Sequence, residues 1–119
     1  MAQYLLVLRD NGKYQGMSKM SPEEMQKILT RYRTWSGKLQ ERGKLAGGQK
    51  LRDREGKVIK RSGSKVAVTD GPFAEAKEVI GGFYLIEAAN YDEAISLAND
   101  CPHLDFGSIE VREIEILPK

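Results

Sequence analysis

Val79-Ile80-Gly81-Gly82-Phe83-Tyr84-Leu85-Ile86 is apolar or glycine at every position. A strand with one wet face alternates apolar and polar side chains, so a run without alternation reads as a strand covered on both faces. Tyr4-Leu5-Leu6-Val7-Leu8 has the same character. These two runs are the expected centre of a sheet. Downstream, Asn90 and Glu93 have the spacing of a capping box, and Tyr91, Ala94, Ile95 and Ala98 form the expected buried stripe of a short helix ended before Pro102. A last strand is expected from about Ile109 to Leu117. Its apolar parity changes between Val111 and Ile114, which predicts a bulge near Arg112-Glu113.

Upstream, Ser21-Pro22-Glu23-Glu24 is a helix start, with a capping Ser and a Pro at the first helical position. Met25, Ile28, Leu29, Tyr32, Trp35 or Ser36, and Leu39 recur at three- and four-residue steps, and Gly43 ends the helix. Between Lys44 and Lys65 apolar residues are sparse. The pattern predicts a strand near 45–51 and a β-hairpin arm near 50–61 turning at Arg54-Glu55-Gly56. Lys65 to Thr69 alternates like a strand, and Asp70-Gly71-Pro72-Phe73 breaks it. The fold class is α+β: a ferredoxin-like βαββαβ arrangement with an inserted β-hairpin, whose first and third core strands are central. The two apolar runs occupy those places.

Two helices cover one face of a four-stranded sheet. The central strands nevertheless carry apolar side chains of both parities, and each large one stabilises by roughly 1.5–3 kcal/mol when buried. The second face therefore needs a cover. A homodimer through the open sheet face supplies it most simply, and the arm folding over the face is the alternative.

The 119 residues fit a single domain, 1–119. Net charge is +2, which gives no general case for nucleic acid. Its distribution is uneven: residues 1–70 carry 16 Lys/Arg against 7 Asp/Glu, and residues 71–119 carry 3 against 10. Such a split suits opposite faces of one molecule or a contact between copies. With a single cysteine, Cys101, no internal disulfide can form. The opening apolar run is too short for a signal peptide or a membrane span, so the expected location is cytoplasmic, with no membrane partner.

Asp70 is the leading candidate for chemistry. It follows a strand, precedes a Gly-Pro turn and stands near Phe73, where a carboxylate can act as a base or hold a ligand donor. The competing reading is turn chemistry. His103, the one histidine, is the second catalytic candidate if folding pairs it with Asp70 or Asp105, although a histidine after a helix is ordinarily a surface residue. Gly71, Pro72, Phe73, Glu75 and Lys77, with Gly81 and Gly82, are the candidate ligand-binding set. Glycines inside a strand permit close approach of a backbone, a ligand or a partner. Cys101 beside His103 suggests a nucleophile on one reading and a small buried residue on the other. No metal site and no cofactor are expected, since one histidine and one cysteine do not make a zinc site and no phosphate-loop or dinucleotide fingerprint occurs. Lys50, Arg52, Arg54, Lys57, Lys60, Arg61 and Lys65 make the 50–65 hairpin basic. It suits an acidic protein partner. Without interleaved aromatics it does not suit stacked single strands, and nucleic acid ranks last.

The stretch Asp70 to Glu78, followed by Ile80-Gly81-Gly82-Phe83-Tyr84, resembles the YCII-related family, in the branch named for its DGPF motif. The resemblance extends over the whole chain. It implies a dimeric α+β-barrel fold. The original YCII branch carries a His on the first helix and an Asp in an Asp-Pro-aromatic motif after the second, proposed as a catalytic pair. Here residues 22–42 hold no histidine, and Cys101-Pro102-His103 stands at the second place. Some relatives are encoded beside sigma factors of the extracytoplasmic-function type. Two functions follow as expectations: a homodimer binding a small molecule near the DGPF motif, with weak enzymatic activity as its extension, or a non-catalytic adaptor for a protein such as such a sigma factor.

Overall fold

A computed structural model describes residues 1–11, 19–53, 55–71 and 78–118. The elements are β1 (Ala2–Asn11), α1 (Pro22–Glu41), β2 (Leu45–Lys50), β3 (Lys57–Ser62), β4 (Lys65–Asp70), β5 (Glu78–Ala88), α2 (Tyr91–Ala98) and β6 (Gly107–Glu113), with a 3₁₀ turn at Pro102–Asp105. Four strands form an antiparallel sheet in the order β2-β5-β1-β6, and β3-β4 is a separate two-stranded ribbon. This is the expected ferredoxin-like α+β fold with an inserted hairpin, and the two apolar runs are its two central strands.

Local chemistry sets the helix ends. Ser21 Oγ accepts the Glu24 N–H at 3.2 Å and Pro22 opens α1. Gly43, at φ 69°, ends it. At α2 the Asn90 side chain accepts the Glu93 N–H at 2.9 Å. The Glu93 carboxylate in turn accepts the Ala89 N–H at 2.9 Å and Lys44 Nζ at 3.1 Å. The backbone bond from Ala89, then Lys44, holds the Glu93 carboxyl below the usual carboxylate range.

The core lies between the helices and one face of the sheet. Tyr4, Leu6 and Ile86 are fully buried there with Trp35, Leu39 and Leu97. Trp35 Nε1 donates to the Leu97 carbonyl at 3.0 Å, and its ring meets Tyr84 edge-on at 4.9 Å. The other face presents Leu5, Val7, Phe83 and Leu85, all half-buried, beside the Arg9–Glu110–Arg112 ion pairs. Arg9 and then Arg112 keep the Glu110 carboxyl ionised to lower pH than usual.

The structure corrects four expectations. The arm runs from 57 to 70 and turns at Gly63 (φ 63°), so residues 50–56 lead into it and 65–70 form its second strand. In α2 the buried residues are Ala94, Leu97 and Ala98, while Tyr91 and Ile95 are 43% and 47% exposed. Leu97 takes the inner position because α2 turns toward α1, where Trp35 meets its carbonyl. The last strand stops at Glu113. The parity slip at Ile114 marks the end of pairing rather than a bulge, and Ile116 is 93% exposed. Register shifts lie instead between β1 and β5, where Leu8 pairs Gly82 and Arg9 pairs Ile80 and Gly81 is the extra residue, and between β2 and β5, where Leu45 pairs Ile86 and Gly47 pairs Leu85.

Candidate functional site

The bulge at Gly81 sits at the end of the sheet where a cleft of about 470 Å³ opens between α1 and the ends of β1, β2 and β5. The even-numbered residues of β1 face the helices: Tyr4, Leu6 and Leu8 are buried, and Asp10 continues the row into the cleft. A Cβ on Gly81 would lie 2.5 Å and 2.7 Å from the two Asp10 carboxylate oxygens, so the absent side chain leaves the space this carboxylate fills. A Cβ on Gly82 would lie 2.7 Å from the Gln49 carbonyl oxygen, so the second glycine lets the β2 backbone come close.

His103 reaches the same cleft from the 3₁₀ turn and is 3% exposed, against the expectation of a surface histidine. The turn pulls it inward: Pro102 opens it, the Leu104 N–H bonds Cys101 O, and the Phe106 N–H bonds His103 O. Its Nε2 lies 2.9 Å from the Arg9 carbonyl oxygen. A carbonyl only accepts, so Nε2 carries a proton and donates. In the neutral ring Nδ1 is then the acceptor, and it takes the Tyr32 hydroxyl at 3.0 Å. Asp10 Oδ1 lies 3.8 Å from Nε2. Tyr32 comes from the inner stripe of α1, and its ring stacks on Phe106.

Tyr84 also borders the cleft. Burial, then the neighbouring Cys101, pushes its hydroxyl up to about 12, so it stays a phenol at neutral pH. Burial pushes the Cys101 thiol up to about 11. Cys101 is therefore a neutral packing residue at neutral pH, and the nucleophile reading has no thiolate to work with. Among the described residues no group of His, Cys, Asp and Glu could hold a metal ion.

The sequence-derived candidates divide. His103, Gly81 and Gly82 line the cleft together. Asp70 ends the arm with its side chain 86% exposed and ion-paired to Lys57, and it is not among the groups that contact His103. Asp105 pairs with Arg31. The aspartate beside His103 is Asp10. Gly71 is buried at the arm's base, where a Cβ would meet Val58 at 2.7 Å. Pro72, Phe73, Glu75 and Lys77 lie outside the described residues. Two site residues escaped the sequence reading. Asp10 had a signal, as the first carboxylate on the buried parity of an otherwise apolar strand. Tyr32 had none, because it sits where a core residue of α1 belongs.

Residues 2–117 match the YCII-related domain. The chain belongs to the YCII-related family. It is 35% identical over 102 residues to an uncharacterized protein of Rhizobium meliloti (strain 1021), covering 83% of this chain and 82% of that one. Its fold is similar to that of 5-chloro-2-hydroxyhydroquinone dehydrochlorinase (TftG) from Burkholderia phenoliruptrix AC1100, solved in complex with 2,5-dihydroxybenzoquinone. That match has a TM-score of 0.53 and covers 95% of this chain and 93% of the other at 16% identity, a likeness of fold. No helix among the described residues of this YCII-related protein is long and apolar enough to cross a membrane. α1 brings Tyr32 to the cleft, and the histidine comes from the turn after α2.

Proposed function

We propose that this YCII-related protein binds a small molecule in the cleft beneath His103 and moves a proton on it, as a homodimer joined through the open sheet faces. The observation that carries the reading is His103 itself, buried at the cleft wall between the Tyr32 hydroxyl and the Arg9 carbonyl with the Asp10 carboxylate behind it. His103 Nδ1 is the base, Tyr32 its link to the ligand, and Asp10 stabilises the charge that forms on the ring. Lys50 stands among the cleft residues ion-paired to Asp53 at 2.9 Å, and Arg33 lines the cleft as well, where its guanidinium suits a ligand with an acidic hydroxyl or carboxylate. The dihydroxybenzoquinone bound by the structural neighbour supports a small-molecule site on this fold.

The motif residues Asp70, Gly71, Pro72, Phe73, Glu75 and Lys77 belong to the proposal as further ligand contacts. Their segment leads directly into β5, which bears Gly81 and Gly82. The test is calorimetric titration with 2,5-dihydroxybenzoquinone and a panel of hydroxylated aromatic acids. Binding should fall at least tenfold in His103→Gln and in Tyr32→Phe. Asp70→Ala and Lys77→Ala measure the share of the motif residues. Binding that survives both His103→Gln and Tyr32→Phe unchanged would remove the cleft as the site.

A further inference from the structure

The arm is an amphipathic ribbon with its apolar side in water. Paired residues of an antiparallel ribbon share a face, so Ile59 opposite Val68 and Arg61 opposite Val66 lie on one side. Ile59, Val66 and Val68 are 68%, 53% and 59% exposed. An isolated two-stranded hairpin is marginal in water. The radius of gyration is 16.3 Å, where a compact chain of this length has about 13–14 Å, so the molecule is far from its most compact form.

A second unpartnered strip follows β6. Ile116 and Leu117 are 93% and 70% exposed, next to Glu115. The two strips are complementary in charge. Arg61, on the apolar side of the arm, is exposed and has no ion-pair partner among the described residues, and neither has Glu115. They also leave the sheet at opposite ends. The arm departs where Lys50 pairs Gly82 and the Leu51 N–H bonds Gly81 O, and the strip begins where the Ile114 N–H bonds Gln3 O. A two-fold axis perpendicular to the strands sets the arm end of one copy against the strip end of another, twice over.

We infer that the arm of one chain docks, by its Ile59–Val66–Val68 face, on the segment 114–117 of a second copy, in a reciprocal exchange. The occupant is the same chain. Arg61, on the same side of the ribbon as Ile59, Val66 and Val68, meets Glu115 at the rim, and the apolar strips meet at the centre. This contact is independent of the ligand reading and adds a surface to the open-face dimer.

The test uses the full chain. Ile59→Cys chains are mixed with tagged Ile116→Cys chains and oxidised mildly, and crosslinks between unlike chains should exceed those between like chains at least tenfold. In sedimentation equilibrium Arg61→Glu should weaken the dimer about tenfold, since two exposed pairs are reversed at once, and Glu115→Arg on the same chain should restore it. Ile59→Ser with Val68→Ser should weaken it by roughly fiftyfold while far-ultraviolet circular dichroism is unchanged. A wild-type chain that is monomeric at tens of micromolar overturns the proposal. So does a dimer indifferent to the arm substitutions, or an Ile59→Cys chain that crosslinks only to its own kind or to a different protein. Loss of the arm contact leaves ligand titration as a separate measurement, so the two readings fail separately.

Discussion

Gly81→Ala and Gly82→Ala are chemically the same change at neighbouring positions, yet the structure assigns them opposite outcomes. A Cβ at position 82 meets the Gln49 carbonyl oxygen at 2.7 Å and Lys50 Cα at 3.3 Å, so the β2 backbone must retreat. Overpacking of this kind costs about 1–3 kcal/mol. At position 81 the three nearest atoms a Cβ would meet all belong to the Asp10 carboxyl, the far end of a side chain that can swing aside. Losing its hydrogen bonding costs about 0.5–1.5 kcal/mol. Either alanine restricts the unfolded chain and recovers about 0.4–1 kcal/mol. At mid-range Gly82→Ala is then destabilised by about 1.3 kcal/mol, or roughly 5–8 °C in Tm at this size, and Gly81→Ala by about 0.3 kcal/mol, or roughly 1–2 °C. The site responds in the reverse order. His103 is the one histidine, so its imidazole nitrogens give unambiguous ¹⁵N signals. Those signals should move in Gly81→Ala, where the carboxylate leaves its place 3.8 Å from Nε2, and much less in Gly82→Ala. Equal losses of stability, or an unmoved His103 spectrum in Gly81→Ala, would refute the assignment of the two glycines.

Three further outcomes follow from the packing. Tyr84 and Cys101 both have folded pKa values raised by burial, to about 12 and about 11. The stability they confer is complete below pH 9 and is lost as pH rises through about 9 to 12. Urea midpoints should therefore drop steeply over that range, and Tyr84→Phe should flatten the drop by an amount on the order of 1–2 kcal/mol. Asn90→Ala removes the acceptor for the Glu93 N–H and should cost about 1 kcal/mol by chemical denaturation, with α2 amides exchanging faster than those of α1. Trp35→Phe leaves the Leu97 carbonyl without its donor and should cost about 1–3 kcal/mol in thermal unfolding, more than the lost area alone accounts for.

The sequence was informative where one constraint acted alone. The unbroken apolar runs at Tyr4–Leu8 and Val79–Ile86 placed β1 and β5 at the centre, because only a strand covered on both faces tolerates such a run. Ser21-Pro22 and Asn90–Glu93 placed both helix starts, since capping is a local matter. The arm was misplaced because Lys57 to Asp70 pairs with itself outside the sheet, and alternation says nothing about which strand a strand will meet. Ile95 was misassigned because in so short a helix the inner face is chosen by what packs against it, here Trp35 at Leu97. The site was half legible. His103 and the two glycines stood out as unusual residues in their elements, whereas the partnership of Asp10 with His103 depends on a 3₁₀ turn that buries the ring, and nothing local in Cys101-Pro102-His103 announces it.

The imidazole of His103 joins segments that are far apart in the chain, since its partners are 71 and 94 residues away. No fragment of the polypeptide can assemble this corner early, for the carbonyl comes from the first strand, the hydroxyl from the first helix and the ring from just before the last strand. Competence should thus be a late event in folding and an early casualty of loosening. Under mild denaturant the protein would lose its grip on a ligand while its circular dichroism still looked native.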